Sequence, residues 1–252
     1  MPAEERANAG LHAHLAQRVQ HLLPARQAHL LDVGCGSGAL LQRLHALGYQ
    51  SLSGLDIAPP FTTHPAIRTI ECDLDDCHTS LPSVSVDLAL CVEVLEHLEN
   101  PGSLLQELAR LLKPQGLLLA TTPNLHSLEA RLRWLLLGRL KQFDAIGDPT
   151  HISPVFLFPF QRLLKRHGLE VVESWGFPAD GSSPTSRRGL RWAARALQGL
   201  GLRGAPAGDQ LCLLIRKSPV GAAPTGPATG SRALAKRTAV TAHYADDDHT
   251  VR

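Results

Sequence analysis

The sequence predicts an α/β protein in which a mostly parallel sheet is covered by helices on both faces. Short apolar runs alternate along the chain with segments that carry apolar residues at helical spacing. Continuous apolar strands of this kind are typical of parallel sheets, because helices bury both of their faces. The predicted strands are 28–33, 51–55, 67–70, 86–92, 116–121, 169–175 and 210–216, and the predicted helices are 11–23, 39–47, 101–112 and 158–167.

Length and composition predict one domain with appendages. A chain of 252 residues with 44% hydrophobic content can bury one full-sized α/β core. We expect residues 1–217 to form that domain and residues 218–252, which are rich in Ala, Gly, Pro and Thr, to be a disordered tail. Two long inserts, 124–155 and 178–208, are expected to form a lid above the strand ends.

A glycine-rich turn follows the first strand, in the segment Asp32-Val-Gly34-Cys35-Gly36-Ser-Gly38. Glycines let a ligand approach the backbone closely, and the free N–H groups that begin the next helix attract a carboxylate or another anion. The spacing is tighter than that of the dinucleotide fingerprint and favours a smaller, non-phosphorylated nucleoside. The triplet alone is a weak signal, since such turns also serve helix packing.

Acidic residues follow the next two strands. Asp56 ends the second strand about 20 residues beyond the first glycine, as a ribose-binding acid should, and a carboxylate can accept from two hydroxyls. Asp73 follows the third strand, where it can accept from an exocyclic amine. Taken singly, such acids are more often surface residues or helix caps. Their order at successive strand ends favours a ligand site.

These residues resemble the first motif of class I S-adenosylmethionine-dependent methyltransferases, and the similarity continues through most of residues 28–175. The resemblance implies a Rossmann-like, doubly wound sheet of about seven strands with an antiparallel last strand. It also implies S-adenosyl-L-methionine as cofactor, with the glycine turn against its methionine part and Asp56 on its ribose. The cofactor-binding residues implied in this way are Asp32, Gly34, Cys35, Gly36, Gly38, Asp56, Ile57, Asp73, Leu74, Val92 and Glu93.

A second cluster of chemically active residues follows the fourth strand. Glu93, Glu96 and His97 are spaced so that one helical turn would place all three on one face. Two carboxylates and an imidazole form either a proton-transfer group or a ligand set for a divalent ion. We expect Glu96, His97 and the later His151 to be catalytic, with a histidine as the base if no ion is present.

The phrase Glu-Val-Leu-Glu-His resembles two groups of methyltransferases, the ubiquinone-biosynthesis O-methyltransferases and the small-RNA 3′-terminal 2′-O-methyltransferases. In the second group Glu, Glu, His and a later His hold a magnesium ion. The resemblance implies Mg²⁺ or another divalent ion on Glu93, Glu96, His97 and His151. In the alternative interpretation the two acids cap a helix start, His97 packs beneath them and His151 fixes a loop.

The chemistry of the cluster favours a hydroxyl as methyl acceptor. A hydroxyl needs a base or a Lewis acid to become nucleophilic, whereas an amine or thiol needs mainly alignment. We therefore expect O-methylation of a small-molecule, quinone, glycan or lipid-linked hydroxyl. The alternatives are a metal-dependent RNA 2′-O-methyltransferase, which the formal net charge of +2 disfavours, and a non-catalytic partner protein that binds the cofactor.

The basic inserts and the amino-terminal segment indicate what the protein contacts and where it is located. Arg131, Arg133 and Arg139 stand among leucines beside Trp134, and basic residues recur from 187 to 195. Such segments hold anionic head groups, so peripheral membrane contact is one interpretation and a solvated helix face is the other. The amino-terminal segment has no apolar run of the length of a signal peptide or a membrane span, which favours the cytoplasm.

The five cysteines suit a reducing compartment. Cys72 and Cys77 are interpreted as ordinary thiols, because structural zinc sites usually contain paired Cys and His ligands.

Overall fold

The computed structural model describes residues 7–58, 66–144, 147–178 and 208–219, together with residues 189, 192 and 196. The predicted tail beyond residue 219 and nearly all of the insert 178–208 lie outside these described residues.

Helices and strands alternate along the described chain as the sequence predicts. The strands are β1 (His29–Val33), β2 (Ser51–Asp56), β3 (Ile67–Glu71), β4 (Val86–Val92), β5 (Leu112–Pro123), β6 (Leu169–Phe177) and β7 (Gln210–Lys217). The helices are α1 (Leu11–Leu22), α2 (Ala39–Ala46), α3 (Pro101–Leu111), α4 (Leu128–Leu137) and α5 (Leu157–Arg166), and a short 3-10 turn covers Leu95–His97.

The strands form one sheet in the order β3-β2-β1-β4-β5-β7-β6. The pairs β1–β2, β2–β3, β1–β4 and β4–β5 are parallel, whereas β7 is antiparallel to both β5 and β6. The predicted antiparallel last strand is therefore confirmed. The strand order reverses direction between β1 and β4, and a crevice opens at the carboxyl ends of strands at such a point.

Helices cover both faces of the sheet, as predicted. One cluster of buried residues joins α1 and α2 to the sheet through side chains such as Leu15 and Leu44. The other joins α3 and α5 to the opposite face through side chains such as Leu104 and Phe160. Of the described helices, none is both long enough and apolar enough to cross a bilayer.

Local sequence signals set the helix limits near the site. The Asn100 side chain accepts from the Ser103 N–H and caps α3, with Pro101 in its first turn. The Ser127 hydroxyl caps α4 by accepting from the Ala130 N–H at 3.1 Å. Strand β5 begins at Leu112 rather than at the predicted residue 116, because Leu112 already pairs with Val86 of β4.

Candidate active site

The glycine turn between β1 and α2 is fixed to the end of β2. The Gly34 and Cys35 N–H groups both donate to the Leu55 carbonyl, at 2.7 and 3.0 Å. Gly34 has φ +70°, and a Cβ there would stand 2.5 Å from a Val94 methyl carbon, so this position accepts only glycine. A Cβ on Gly36 would meet nothing within 4 Å. The turn therefore has an open backbone face at Gly36.

Asp56 stands beside this open face. Its Oδ2 accepts from the Gly36 N–H at 2.8 Å, and its Oδ1 accepts from the Ala58 N–H at 3.0 Å. Each carboxylate oxygen has two acceptor positions, so one on each remains for a ligand hydroxyl. The two backbone bonds fix the orientation of the carboxylate.

Two further residues of the first motif are buried next to Asp56. Burial, and then the charge of Asp56, raises the pKa of Asp32 to about 8. Burial and the same carboxylates raise the pKa of Cys35 to about 12, so that residue remains a thiol. A ligand ammonium group beside Asp32 would favour its ionised form.

Asp73 does not occupy the position that the sequence predicts for it. Asp73 Oδ1 accepts from the Asp75 N–H at 3.0 Å and closes an Asx turn, and its side chain does not line the cavity. Leu74 does line it. Of the other predicted cofactor residues, Gly38 begins α2 and the Ile57 side chain is exposed, and neither lines the cavity.

Glu93 directly follows β4, two residues before the 3-10 turn begins, and its backbone has the unusual φ of +52°. Its N–H donates to the carbonyl and the hydroxyl oxygen of Thr121, at 3.2 and 3.1 Å, and its carboxylate accepts from the Thr121 hydroxyl at 2.8 Å. Burial raises the pKa of Glu93 to about 7, although hydrogen bonds from Thr121 and Gln210 lower it and the charge of Asp209 raises it.

Glu96 is fully buried, and neither of its carboxylate oxygens has a hydrogen-bond partner among the described residues. Burial, followed by the charge of Glu93, raises its pKa well above the usual range. The nearby Thr122 hydroxyl lowers that pKa only in part and does not reach hydrogen-bond geometry. A buried carboxylate in this state either holds a proton or faces a cation.

The rings of His97 and His151 pack edge to face near Glu96, with centroids 4.7 Å apart and an interplanar angle of 72°. The Thr150 hydroxyl donates to Asp148 at 2.6 Å and therefore accepts from His97 Nδ1 at 2.9 Å. His151 Nδ1 donates to the Gln142 carbonyl at 2.9 Å. Both rings thus carry their proton on Nδ1, which leaves each Nε2 with a lone pair. Burial, and then His151, lowers the pKa of His97, so the neutral ring predominates at neutral pH.

The first insert brings His151 to this place. Residues 152 and 153 donate their N–H groups to the Glu96 carbonyl, both at 2.9 Å. Glu96, His97 and His151 each offer a ligand atom, and the three atoms lie within 4.8 Å of one another. Three of the four predicted metal ligands are therefore brought together.

Glu93 does not join this group among the described residues. One helical turn was expected to present Glu93, Glu96 and His97 on one face, and that expectation was wrong. The chain leaves β4 through the left-handed residue Glu93, and only Leu95–His97 forms a turn, so the carboxylate of Glu93 points to Thr121.

One cavity of about 730 Å³ joins the glycine turn to this cluster. Predicted residues in its lining are Asp32, Gly34, Cys35, Gly36, Asp56, Leu74, Val92, Glu93, His97 and His151. Lining residues that the sequence did not predict include Ala7, Asn8, His12, Gln142 and Gln210. Gln210 begins β7, and only the pairing of β7 with β5 brings it beside Glu93.

A comparison with known protein families matches residues 7–174 to a methyltransferase domain. The chain belongs to this family of methyltransferase domains. The match confirms the resemblance on which the expected cofactor chemistry depends, and it covers β1 to β5 together with the site residues of both clusters.

Curated relatives of this methyltransferase domain are named ubiquinone biosynthesis O-methyltransferases. The protein from Colwellia psychrerythraea is 27% identical over 58% of this chain and 63% of its own length. The protein from Neisseria meningitidis serogroup A is 28% identical over 58% of this chain and 66% of its own length. The chain thus spans less than two thirds of the length of either relative.

A solved SAM-dependent methyltransferase from Archaeoglobus fulgidus shares the fold. It is 20% identical, has a TM-score of 0.52 and covers 82% of this chain and 94% of its own. This likeness confirms the predicted Rossmann-like, doubly wound α/β class.

Proposed function

We propose that this protein transfers a methyl group from S-adenosyl-L-methionine to a hydroxyl oxygen of a small molecule. The observation that carries the proposal is the single cavity that joins the Gly36–Asp56 crevice to Glu93, His97 and His151. The first part of the cavity has the chemistry to hold a nucleoside, and the second has the chemistry to deprotonate an acceptor. The family match and the names of the curated relatives support the same reaction.

The crevice fits the cofactor. The open backbone at Gly36 would lie against the methionine part, Asp32 would face its ammonium group and Asp56 would accept from the ribose hydroxyls. Leu74 would pack against the adenine. When bound, the cofactor supplies an activated methyl group on a sulfonium. The protein's own contribution is to align the acceptor and exclude water.

The transfer is balanced if one histidine accepts a proton. The acceptor oxygen forms a bond to the methyl carbon, the carbon–sulfur bond breaks and sulfur keeps the electron pair as a thioether. The hydroxyl proton passes to an imidazole Nε2. His97 is the candidate base, because its Nδ1 proton is fixed by Thr150 and burial keeps the ring neutral. His151 is the alternative base on the adjacent ring.

The proposal is tested by formation of S-adenosylhomocysteine in mixtures of purified protein, S-adenosylmethionine and phenol, catechol or an aliphatic diol. We expect turnover with at least one hydroxyl acceptor and a strong loss in His97→Ala. Binding of the cofactor without turnover on any acceptor would instead support the non-catalytic alternative.

A divalent ion on Glu96, His97 and His151 is the alternative to a histidine base, because the ion would bind the Nε2 lone pairs that otherwise accept the proton. The buried, unpartnered oxygens of Glu96 and the two Nε2 lone pairs fit a cation better than a helix cap. Two imidazoles with one carboxylate suit a transition ion such as Mn²⁺ or Zn²⁺ more than Mg²⁺, which prefers oxygen ligands. When bound, such an ion would lower the pKa of an acceptor hydroxyl.

Calorimetric titration with MnCl₂, ZnCl₂ and MgCl₂ tests this ligand set. We expect binding by the unmodified protein and loss of binding in Glu96→Gln, while the exposed neighbour Glu99→Gln serves as matched control. Equal heats from all three proteins would overturn the ligand set. The RNA 2′-O-methyltransferase alternative loses support here, because Glu93 lies outside the group.

Helix α4 is the candidate for peripheral membrane contact. Trp134, Leu135 and Leu136 are exposed by 61%, 76% and 64%, and Arg131 and Arg139 flank them. Exposed apolar residues next to arginines favour an anionic lipid surface. In sedimentation with phosphatidylglycerol vesicles, we expect the unmodified protein to pellet with the vesicles. The double variant Leu135→Ser/Leu136→Ser should stay in the supernatant. If both proteins remain in the supernatant, the solvated-face interpretation stands.

A further inference from the structure

Two cysteines that the proposed reaction does not use have their sulfur atoms in direct contact. Cys72 Sγ and Cys77 Sγ are 2.9 Å apart, closer than the van der Waals contact of two sulfurs, and both side chains are buried. Sequence alone left them as separate ordinary thiols. The structure brings them together because residues 73–76 fold back through the Asx turn of Asp73.

Both ends of this segment are anchored. The Cys72 N–H donates to the Asp56 carbonyl at 2.9 Å, next to the cofactor crevice. On the other side, the Thr79 N–H and hydroxyl donate to Glu107 at 2.9 and 2.8 Å, and Glu107 is paired with Arg110. The short segment between these anchors contains Leu74, which lines the cavity.

We propose that Cys72 and Cys77 form a reversible intramolecular disulfide with a diazene or a low-molecular-weight disulfide as oxidant. With a diazene, the Cys72 sulfur adds to one nitrogen of the N=N bond and the other nitrogen takes a proton. The Cys77 sulfur then attacks the Cys72 sulfur, the S–S bond forms and the S–N bond breaks. Its electron pair leaves with nitrogen, which takes the second thiol proton and becomes a hydrazine.

The order of the two steps follows from exposure. Cys72 retains 9% of its surface and Cys77 only 1%, so the oxidant reaches Cys72 first. Burial, and then contact with Cys72, raises the pKa of Cys77, which makes the ring-closing step faster at alkaline pH.

The disulfide should weaken cofactor binding, a consequence that rests on the proposed function. An S–S bond is about 2.05 Å long, so the sulfurs must approach each other by nearly 1 Å. Because both ends are anchored, the intervening residues take up this movement and displace Leu74 from its place in the cavity wall. We expect the affinity for S-adenosylhomocysteine to fall about threefold or more.

The experiment treats the purified full-length chain with diamide at pH 8.5 and then denatures and alkylates it with N-ethylmaleimide. Intact mass should show three labelled thiols instead of five, and a peptide digest should locate the crosslink between Cys72 and Cys77. Dithiothreitol should restore all five. Cys77→Ala should show no crosslink and at most one diamide adduct, on Cys72, whereas the matched control Cys212→Ala, which removes a buried thiol of β7, should form the crosslink and lose two of its four thiols.

The possible outcomes test the disulfide and the proposed cofactor site independently. Five labelled thiols after diamide, or a crosslink between other cysteines, would overturn the disulfide. A crosslink at Cys72 and Cys77 with an unchanged affinity for S-adenosylhomocysteine would overturn its effect on the cavity. If the reduced protein does not bind S-adenosylhomocysteine at all, the proposed function fails, while the mass measurement still decides the disulfide.

Discussion

At the scale of single residues, Asp56 is the proposed acceptor for the ribose hydroxyls. Two backbone N–H groups hold its oxygens and leave one acceptor position on each. The same bonds also stabilise the glycine turn in the protein alone. The effect of a substitution at Asp56 must therefore be measured both on ligand affinity and on thermal stability.

Asp56→Asn should weaken binding of S-adenosylhomocysteine by about 10- to 100-fold. It replaces a charged acceptor by a neutral amide, and hydrogen bonds to charged groups contribute about 1.5–3 kcal/mol. Isothermal titration calorimetry measures the affinity, and a melting curve reports the fold. Asp76→Asn, which changes an exposed acid after β3, is the control and should bind like the unmodified protein. Equal affinities in both variants would remove Asp56 from the site.

Thr150 determines which nitrogen of His97 can accept a proton. Its hydroxyl donates to Asp148 and accepts from His97 Nδ1. Thr150→Val should lower kcat about 10- to 100-fold and leave the KM for S-adenosylmethionine unchanged, because partners that orient a catalytic histidine act at that scale. Thr150→Ser should restore most of the rate. Steady-state kinetics measure both variants. Equal kcat values for Thr150→Val and Thr150→Ser would show that the hydroxyl is not needed.

At the scale of elements, the turn from β1 to α2 separates glycines that the fold needs from one that the ligand needs. Gly34 is constrained by Val94 in the protein itself. Gly36 has φ +48° and open space where a Cβ would be. The cavity borders that space, so a side chain at Gly36 would enter the proposed cofactor site.

Gly36→Ala should fold with a small loss of stability and lose cofactor affinity about tenfold or more. A left-handed alanine costs about 1–2 kcal/mol. Gly168→Ala is a matched control, because Gly168 has φ +69°, has equally open space and lies between α5 and β6 outside the cavity lining. Both variants should melt at similar temperatures, measured by circular dichroism. If both bind S-adenosylhomocysteine equally, the turn does not hold the cofactor.

The elements that form the crevice between Gly36 and Asp56 were the most predictable from sequence. The apolar run of β1, the glycine turn and the acid at the end of β2 are local in the chain, and local patterns report local structure. Gln210 was not predictable, because its place beside Glu93 depends on β7 inserting between β5 and β6. Glu93 itself was misplaced, because helical spacing cannot reveal a left-handed residue at a strand end.

At the scale of the whole molecule, the buried acids of the site should affect stability. Burial raises the pKa of Asp32 to about 8 and that of Glu93 to about 7. Between the ordinary pKa near 4 and these values, the folded protein holds protons that the unfolded chain has released. The free energy of unfolding of the protein alone should therefore fall as the pH rises through this window.

Asp32→Asn should make this decline shallower, by up to about 1.4 kcal/mol per pH unit for each full proton removed from the linkage. Urea unfolding at pH 5.5, 7.0 and 8.5 measures the slope. The unmodified protein should be most stable at pH 5.5. Identical slopes in the two proteins would contradict a raised pKa for Asp32.

The whole fold followed from the alternation of strands and helices more completely than the site did. The seven-stranded sheet, the antiparallel β7 and the helices on both faces agree with expectation, and the order of the strands is known from the structure alone. By contrast, the contact of Cys72 with Cys77 and the adjacent rings of His97 and His151 arise where separate loops meet above the sheet. Contacts between residues of separate loops leave no pattern in the sequence from which they could be predicted.

The central claim is that the crevice between Gly36 and Asp56 binds S-adenosylmethionine and its demethylated product. Titration of the purified protein with S-adenosylhomocysteine in a calorimeter tests it most directly. The account predicts saturable binding at one site per chain, weakened in Asp56→Asn and Gly36→Ala but retained in Gly168→Ala. Absence of heat and of any thermal shift with the unmodified protein at millimolar ligand would contradict it.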